Sequence, residues 1–188
     1  MAAEKHRCSW CMKDELYQRY HDEEWGVPVH DDAKLFEFLI LESFQAGLSW
    51  HTVLKKRENF RRAFKNFDAK KIAKFTQEDV ERLMQDEGII RNRLKIEAAI
   101  VNAKLYLQLQ KEYGSFDAYI WKFVNHQPID NKRKSLGEIP ATTEVSDLMS
   151  KELGKLGFKF RGSTICYAFM QAVGMVDDHV KDCWRKKK

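Results

Sequence analysis

Proline occurs three times and glycine nine times in 188 residues, too few for a linker-rich or collagen-like chain. Apolar runs are short, as in Phe38-Leu39-Ile40-Leu41, so neither a transmembrane span nor the apolar stretch of a secretory signal is expected. Cysteine is sparse: Cys8, Cys11, Cys166 and Cys183 are the whole complement. A chain of this length buries roughly 70% of its unfolded surface and needs no disulfide framework. The expectation is a cytoplasmic chain whose cysteines serve as thiols or metal ligands, and no association with membranes. Neither sign of charge dominates. Lys+Arg 33 against Asp+Glu 28 gives +5, which permits a nucleic-acid partner without demanding one. Strand-like alternation and internal repeats are also missing.

What is present is helical periodicity. Asp31-Asp32 can cap a helix with Leu35, Phe38, Leu39 and Ala46 at helical spacing, and Ser49 can start another through Val53, Leu54, Phe60 and Phe64. Thr76-Gln-Glu-Asp79 reads as a capping box before Val80, Leu83 and Met84. A long helix is expected from about Asn92 to Tyr113, with Leu94, Ala98, Val101 and Leu105 as its apolar stripe and Gly114 as its stop. Ser115, Ser146 and Ser163 are expected to start three later helices, the last ending at Gly174, and Asp177-Asp178 to begin a short terminal one. The pattern describes an all-α protein in two lobes, forming one functional unit over residues 1–188.

The two ends carry metal-ligand chemistry. His179 and Cys183 stand four apart, the spacing of one helix face, while Cys8 and His21 lie near the other terminus. Two thiolates and two imidazoles suit a saturated tetrahedral zinc, which would tie segments 1–30 and 175–188 together and leave no position for a reacting water. Cys8-Ser-Trp-Cys11 offers a competing pair of ligands, and spacing alone does not choose between Cys11 and His21.

Glu42 falls on the apolar stripe, seven residues after Leu35 and three after Leu39. A buried, unpaired carboxylate costs several kcal/mol or takes up a proton, so such a residue calls for a partner. Trp10, Tyr20, Trp25 and Trp50 cluster around it in sequence. Aromatic faces with one buried anion make a box for a flat, cationic heterocycle. Between residues 76 and 113, Gly88 sits in a short turn between two helices. The amides of Ile89, Ile90 and Arg91, with Lys95 nearby, would then meet phosphate at a helix N-terminus, as in a helix-hairpin-helix element.

The runs Tyr20-His-Asp-Glu-Glu-Trp-Gly-Val-Pro28, Gln45-Ala-Gly-Leu-Ser-Trp50, Val53-Leu-Lys-Lys-Arg-Glu-Asn59 and Gly157-Phe-Lys-Phe160 closely resemble the bacterial 3-methyladenine DNA glycosylase I family. So do Phe123-Val-Asn-His-Gln-Pro128, Ile165-Cys-Tyr167 and Asp178-His-Val180, and the match spans about Arg7 to Cys183. The resemblance implies a helix-hairpin-helix DNA glycosylase fold with one structural zinc on Cys8, His21, His179 and Cys183. It implies that Glu42 is the catalytic-site carboxylate, that Tyr20 and Trp50 bind the excised base, and that Trp10 and Trp25 are further contacts. Phe44 is a departure, standing where some relatives carry a polar residue.

The expected activity is a monofunctional one: hydrolytic release of 3-methyladenine from double-stranded DNA containing alkylated adenine. Free 3-methyladenine would then be a product ligand and the chain a monomer. No catalytic Asp follows the hairpin glycine at the distance seen in the wider superfamily; Glu112 and Tyr113 stand there, with Asp117 beyond. Gly47 and Leu48, on the loop before Trp50, are expected to enter the gap left by the flipped nucleotide. Two other classes share part of this pattern, a non-catalytic DNA-binding module and a zinc hydrolase with an open ligand position.

Overall fold

A computed structural model describes residues 5–186. Residues 1–4 and 187–188 of the two terminal segments lie outside it, as does the end of the basic run Arg185-Lys-Lys-Lys188. Ten α-helices carry the described fold. Short polar side chains set many of their starts. Asp14 accepts from the Tyr17 amide to open α1 (Glu15–Glu23), and Asp31 accepts from Lys34 to open α2 (Asp32–Gln45). The capping box at Thr76 and Asp79 opens α6 (Gln77–Gln85). Asn92 caps α7 (Arg93–Tyr113), which stops at Gly114, whose φ of 84° a side chain would resist. Ser115 caps the short α8 (Phe116–Ile120).

Several expected boundaries shift. The helix foreseen from Ser49 to Phe64 is two, α3 (Trp50–Lys55) and α4 (Arg57–Ala63), hinged at Lys56 with φ −98° and ψ 0°. A short α5 (Ala69–Ile72) follows. Ser146 lies inside α9 (Glu144–Leu156), where it completes a capping box with the true cap, Thr143. Ser163 is the first residue of α10 (Ser163–Ala172), after Gly162. The foreseen terminal helix does not form. Val176–Asp177 is a two-residue strand, β2, paired in parallel with β1 (Ile129–Asp130), and turns follow. These strands are too short for any alternation to show in the sequence.

The stripe expected on α7 is also corrected. Leu94 is 68% exposed and Val101 is exposed, whereas Lys95, Ile96, Ala99, Asn102, Ala103, Tyr106 and Leu109 are buried with Ala98. Lys95 and Asn102 can turn inward because each finds partners there. Lys95 donates to the Phe44 and Ala46 carbonyls at 2.8 and 2.5 Å, and Asn102 exchanges bonds with the Lys159 backbone at 3.1 and 2.8 Å. The polar side chains that looked outward in sequence are thus cross-links between elements.

At the centre lies α2, with Leu35 through Phe44 all buried. It packs against α3, α7, α8 and α10, so it is enclosed on every side and not amphipathic. Phe44 meets Phe60 and Phe64 at centroid distances of 4.7 and 5.7 Å, a packing role. The buried apolar side chains form one connected core reaching from Cys8 to Cys183, shared by whatever lobes the chain is divided into. The chain after α1 is sewn to α10: Gly26 donates to the Gln171 carbonyl at 2.9 Å and Val29 to Val173 at 3.0 Å. Gly174, at φ 70°, allows this approach, since a Cβ there would stand 2.3 Å from the Val27 carbonyl carbon.

Candidate functional site: an aromatic cavity with a buried acid

Two acids of α2 are buried, and they differ in what surrounds them. Glu37 meets Arg57 at 2.5 Å and Arg61 at 2.8 Å, so its charge is compensated within the protein. Glu42 is 2% exposed, and its Oε2 has no hydrogen-bond partner among the described residues. Burial alone pushes its carboxyl well above the ordinary carboxylate range. The chain therefore keeps an acid in its interior that nothing among the described residues neutralises.

Glu42 opens onto a cavity of about 390 Å³ lined by Trp10, Tyr17, Tyr20, Trp25, Gln45, Trp50, Leu136, Ile139, Ala168 and Gln171. The four aromatics that cluster around Glu42 in sequence are all here. Helix α1 supplies Tyr20 and Tyr17; Trp50 is the first residue of α3, placed by its Ser49 cap. Tyr20 and Trp50 lie 5.3 Å apart, tilted by 45°, while Trp10 stands edge-on to Trp25 at 5.0 Å and to Tyr17 at 4.9 Å. The indole Nε1 of Trp50 and Oε1 of Gln45 are also buried without partners. Unsatisfied buried polar atoms are costly, so their gathering around one cavity marks a place for a polar, flat guest.

Tyr17, Gln45 and Gln171 were missed by sequence reasoning. Tyr17 had a signal, since it stands three residues before Tyr20 on one helix face. Gln171 had none, because α10 reaches the cavity only through tertiary packing.

Behind the aromatic wall, the Sγ atoms of Cys8 and Cys183 and a ring nitrogen of His21 lie within 4.8 Å of one another. Cys183 Sγ is 3.4 Å from His21 Nε2. A hydrogen bond from Cys8, with help from His21, lowers the Cys183 thiol below its ordinary range, and the same contact pushes Cys8 up. His179 is beside them, its ring 5.0 Å from that of His21, and its Nε2 is buried and partnerless. Both imidazoles are oriented by carboxylates, His21 Nδ1 at 2.9 Å from Asp22 and His179 Nδ1 at 2.9 Å from Asp177. That is the arrangement which turns Nε2 toward a metal. Cys11 is occupied elsewhere, its thiol donating to the Cys8 carbonyl at 3.1 Å. The segment from His179 to Cys183 consists of turns and is not the helix that their spacing suggested. Gly26 leaves room for the His179 ring, which a Cβ would approach to 2.8 Å.

The turn between α6 and α7 forms a third feature. Gly88 is not among the glycines with a positive φ. A side chain is excluded there by crowding, with Asp86 Oδ1 at 2.9 Å and Asn59 at 3.1 Å from the position of a Cβ. The Ile89 amide is spent on the Asp86 carbonyl at 3.3 Å and its side chain is buried. Among the described residues, the Ile90 and Arg91 amides meet no acceptor, and Arg91 is exposed. Lys95 cannot serve with them: it is 5% exposed, with its ammonium held by the carbonyls that end α2. Gly47 has φ 77° and open space around it, and Leu48 next to it is 42% exposed.

A helical protein with an aromatic, acid-bearing cavity, an exposed Leu48 on the loop between two of its lining residues, and unpartnered amides in the turn before α7 has the parts of a protein that captures a base out of a nucleic acid. The chain belongs to the methyladenine glycosylase family, whose sequence model matches residues 10–186. It is 57% identical over 177 residues to DNA-3-methyladenine glycosylase 1 of Escherichia coli (strain K12), covering 94% of this chain and 95% of that one. A crystal structure of 3-methyladenine DNA glycosylase I superposes with a TM-score of 0.94 at 52% identity, over 97% of this chain and 100% of that one. The Staphylococcus aureus enzyme, solved to explain its recognition of 3-methyladenine, gives 0.93 at 40% identity over 97% of each chain.

Proposed function

We propose that the protein is a monofunctional DNA glycosylase that hydrolyses the N-glycosidic bond of 3-methyladenine in alkylated double-stranded DNA, leaving an abasic site. The observation that carries this reading is Glu42, a buried acid without a partner in an aromatic cavity. Methylation at N3 gives the nucleobase a positive charge and weakens its bond to the sugar. Extruding such a base costs a few kcal/mol, less than for an intact pair. In the cavity Glu42 offsets the charge and accepts from the exocyclic amine, while Tyr20 and Trp50 offer faces for stacking and Trp10 and Trp25 close the far side. Guanine presents an acceptor, O6, where adenine presents that amine, so a carboxylate there rejects 7-methylguanine.

Leu48 on its Gly47 turn supports a wedge role at the vacated position, and the free Ile90 and Arg91 amides support a phosphate grip of the helix-hairpin-helix kind. Asp117, the nearest stand-in for a superfamily catalytic Asp, is bonded to His30 at 2.8 Å and does not line the cavity. The cationic leaving group therefore carries much of the bond cleavage. Cys8, His21 and Cys183 gather as three donors that suit zinc, and His179, its ring 5.0 Å from that of His21 and its Nε2 without a partner among the described residues, is the candidate fourth. Zinc there would supply a cross-link, with no open position for a reacting water. The absence of any described helix long and apolar enough to cross a membrane accords with a cytoplasmic enzyme.

Chromatography of bases released from methylated duplex tests the proposal. The protein should release 3-methyladenine and little 7-methylguanine. Glu42→Gln should fold but bind free 3-methyladenine at least about tenfold more weakly, roughly 1.4 kcal/mol, with relaxed rejection of 7-methylguanine. Release of no free base at all would leave a non-catalytic DNA-binding module.

A further inference from the structure

Asp178 and Tyr167 stand in the matching motifs without being either metal ligands or walls of the aromatic box. Asp178 is 0% exposed, and both its oxygens are fully engaged. Oδ1 accepts from Asn131 Nδ2 at 2.8 Å and Arg133 Nε at 3.0 Å; Oδ2 accepts from Tyr167 OH at 2.5 Å and Gln171 Nε2 at 2.8 Å. A carboxylate so enclosed is no nucleophile. Its effect is on Gln171, which lines the base cavity one helical turn beyond Ala168. A carboxylate oxygen accepts and does not donate, so the Gln171 amide must turn its NH2 toward Asp178. The remaining atom, the carbonyl Oε1, meets no donor among the described residues.

We propose that Gln171 is a specificity-determining residue, presenting Oε1 to the base as a second acceptor beside Glu42, with Asp178 as its positioning residue. The inference rests on the function proposed above. Adenine methylated at N3 and joined to the sugar at N9 carries its only N–H bonds on the exocyclic amine, and there are two of them. One acceptor leaves the second N–H unsatisfied in a dry cavity, while two acceptors from facing helices, α2 and α10, satisfy both. The locked amide matters because a free one could rotate and offer its NH2 to the oxygen of guanine or hypoxanthine. Gln45, whose amide has no such anchor, lacks that constraint.

The test compares binding of 3-methyladenine with that of 3-methylpurine, which keeps shape and methyl group but has no amine, followed by tryptophan fluorescence. Wild type should prefer 3-methyladenine. In Gln171→Met, which keeps the packing and loses the acceptor, that preference should fall about fivefold, with affinity for an abasic duplex unchanged. Gln171→Lys, whose ammonium satisfies Asp178 and accepts nothing, should give the same loss if the methionine variant folds poorly. Equal weakening of both ligands, or full preference retained in either variant, overturns the role of Gln171, as does a loss seen only in Gln45→Met. Wild type binding neither base would instead overturn the underlying reading of the cavity.

Discussion

Glu37 and Glu42 sit five residues apart on one buried helix, and the difference between them is the difference between structure and site. Arginines complete Glu37; Glu42 waits for a charge from outside. The consequence can be measured without any ligand. In the folded chain the Glu42 carboxyl is raised from an ordinary 4.5 by burial, so the folded state keeps a proton that the unfolded state gives up sooner. The stability tied to that proton is complete below the ordinary value and is lost as pH rises through the raised one. Glu42→Gln has nothing to titrate, so its melting temperature should gain on wild type as pH climbs from about 4 toward 8. A constant difference across that range would show that Glu42 titrates like a surface acid. Lys95 makes the opposite case, a cation that looks like a DNA contact and is a cross-link. Lys95→Ala should cost roughly 2 kcal/mol of stability and leave the salt dependence of duplex binding unchanged. A shallower salt slope with intact stability would return Lys95 to the phosphate contacts.

Among the elements, the break between α3 and α4 matters most for placement. Because the chain hinges at Lys56, α3 can aim Trp50 into the cavity while α4 reaches the α6–α7 turn. There Lys56 Nζ donates to the Glu87 and Gly88 carbonyls at 3.0 and 3.3 Å, and Asn59 donates to Gly88 at 3.1 Å. One segment thus sets both the aromatic cavity and the turn proposed to meet the DNA backbone. The loop before α3 carries Leu48, 42% exposed between two residues that line the cavity, Gln45 and Trp50. Leu48→Ala should weaken binding to duplex containing an abasic site several-fold more than binding to single strands, as titrations with the two substrates would read. A parallel fall in both affinities would make Leu48 a general contact and not a wedge.

For the whole molecule, the question is what keeps the aromatic wall in place. Trp25 touches His179 edge-on at 4.6 Å and Trp10 touches His21 at 5.4 Å, so the Cys/His cluster backs the cavity directly. Structural zinc contributes on the order of 10 kcal/mol to the folding of small metal-dependent peptides, and less where a large core stands without it. One zinc per chain should copurify. Cys183→Ala should abolish it and lower the melting temperature far more than Cys11→Ala, whose thiol only caps a turn. Metal content by elemental analysis and thermal melts would check this. Equal losses from the two variants would favour the Cys8–Cys11 pair as ligands.

The sequence by itself determined the helices whose caps are chemical, such as those opened by Asp31, Thr76 and Asn92, because a cap is a local bond between neighbours in the chain. The aromatic box and Glu42 were legible there too, since an acid among apolar neighbours on a helix violates a local pattern, and the motifs around them match one family. Tertiary structure alone decided which polar residues face inward. Lys95 and Asn102 are buried only because carbonyls from distant segments meet them, and periodicity cannot see such partners. It also decided that His179 comes to lie beside His21, and that Gln171 reaches the cavity with its amide fixed by Asp178. Each of these depends on atoms far apart in sequence that meet only when the core has formed.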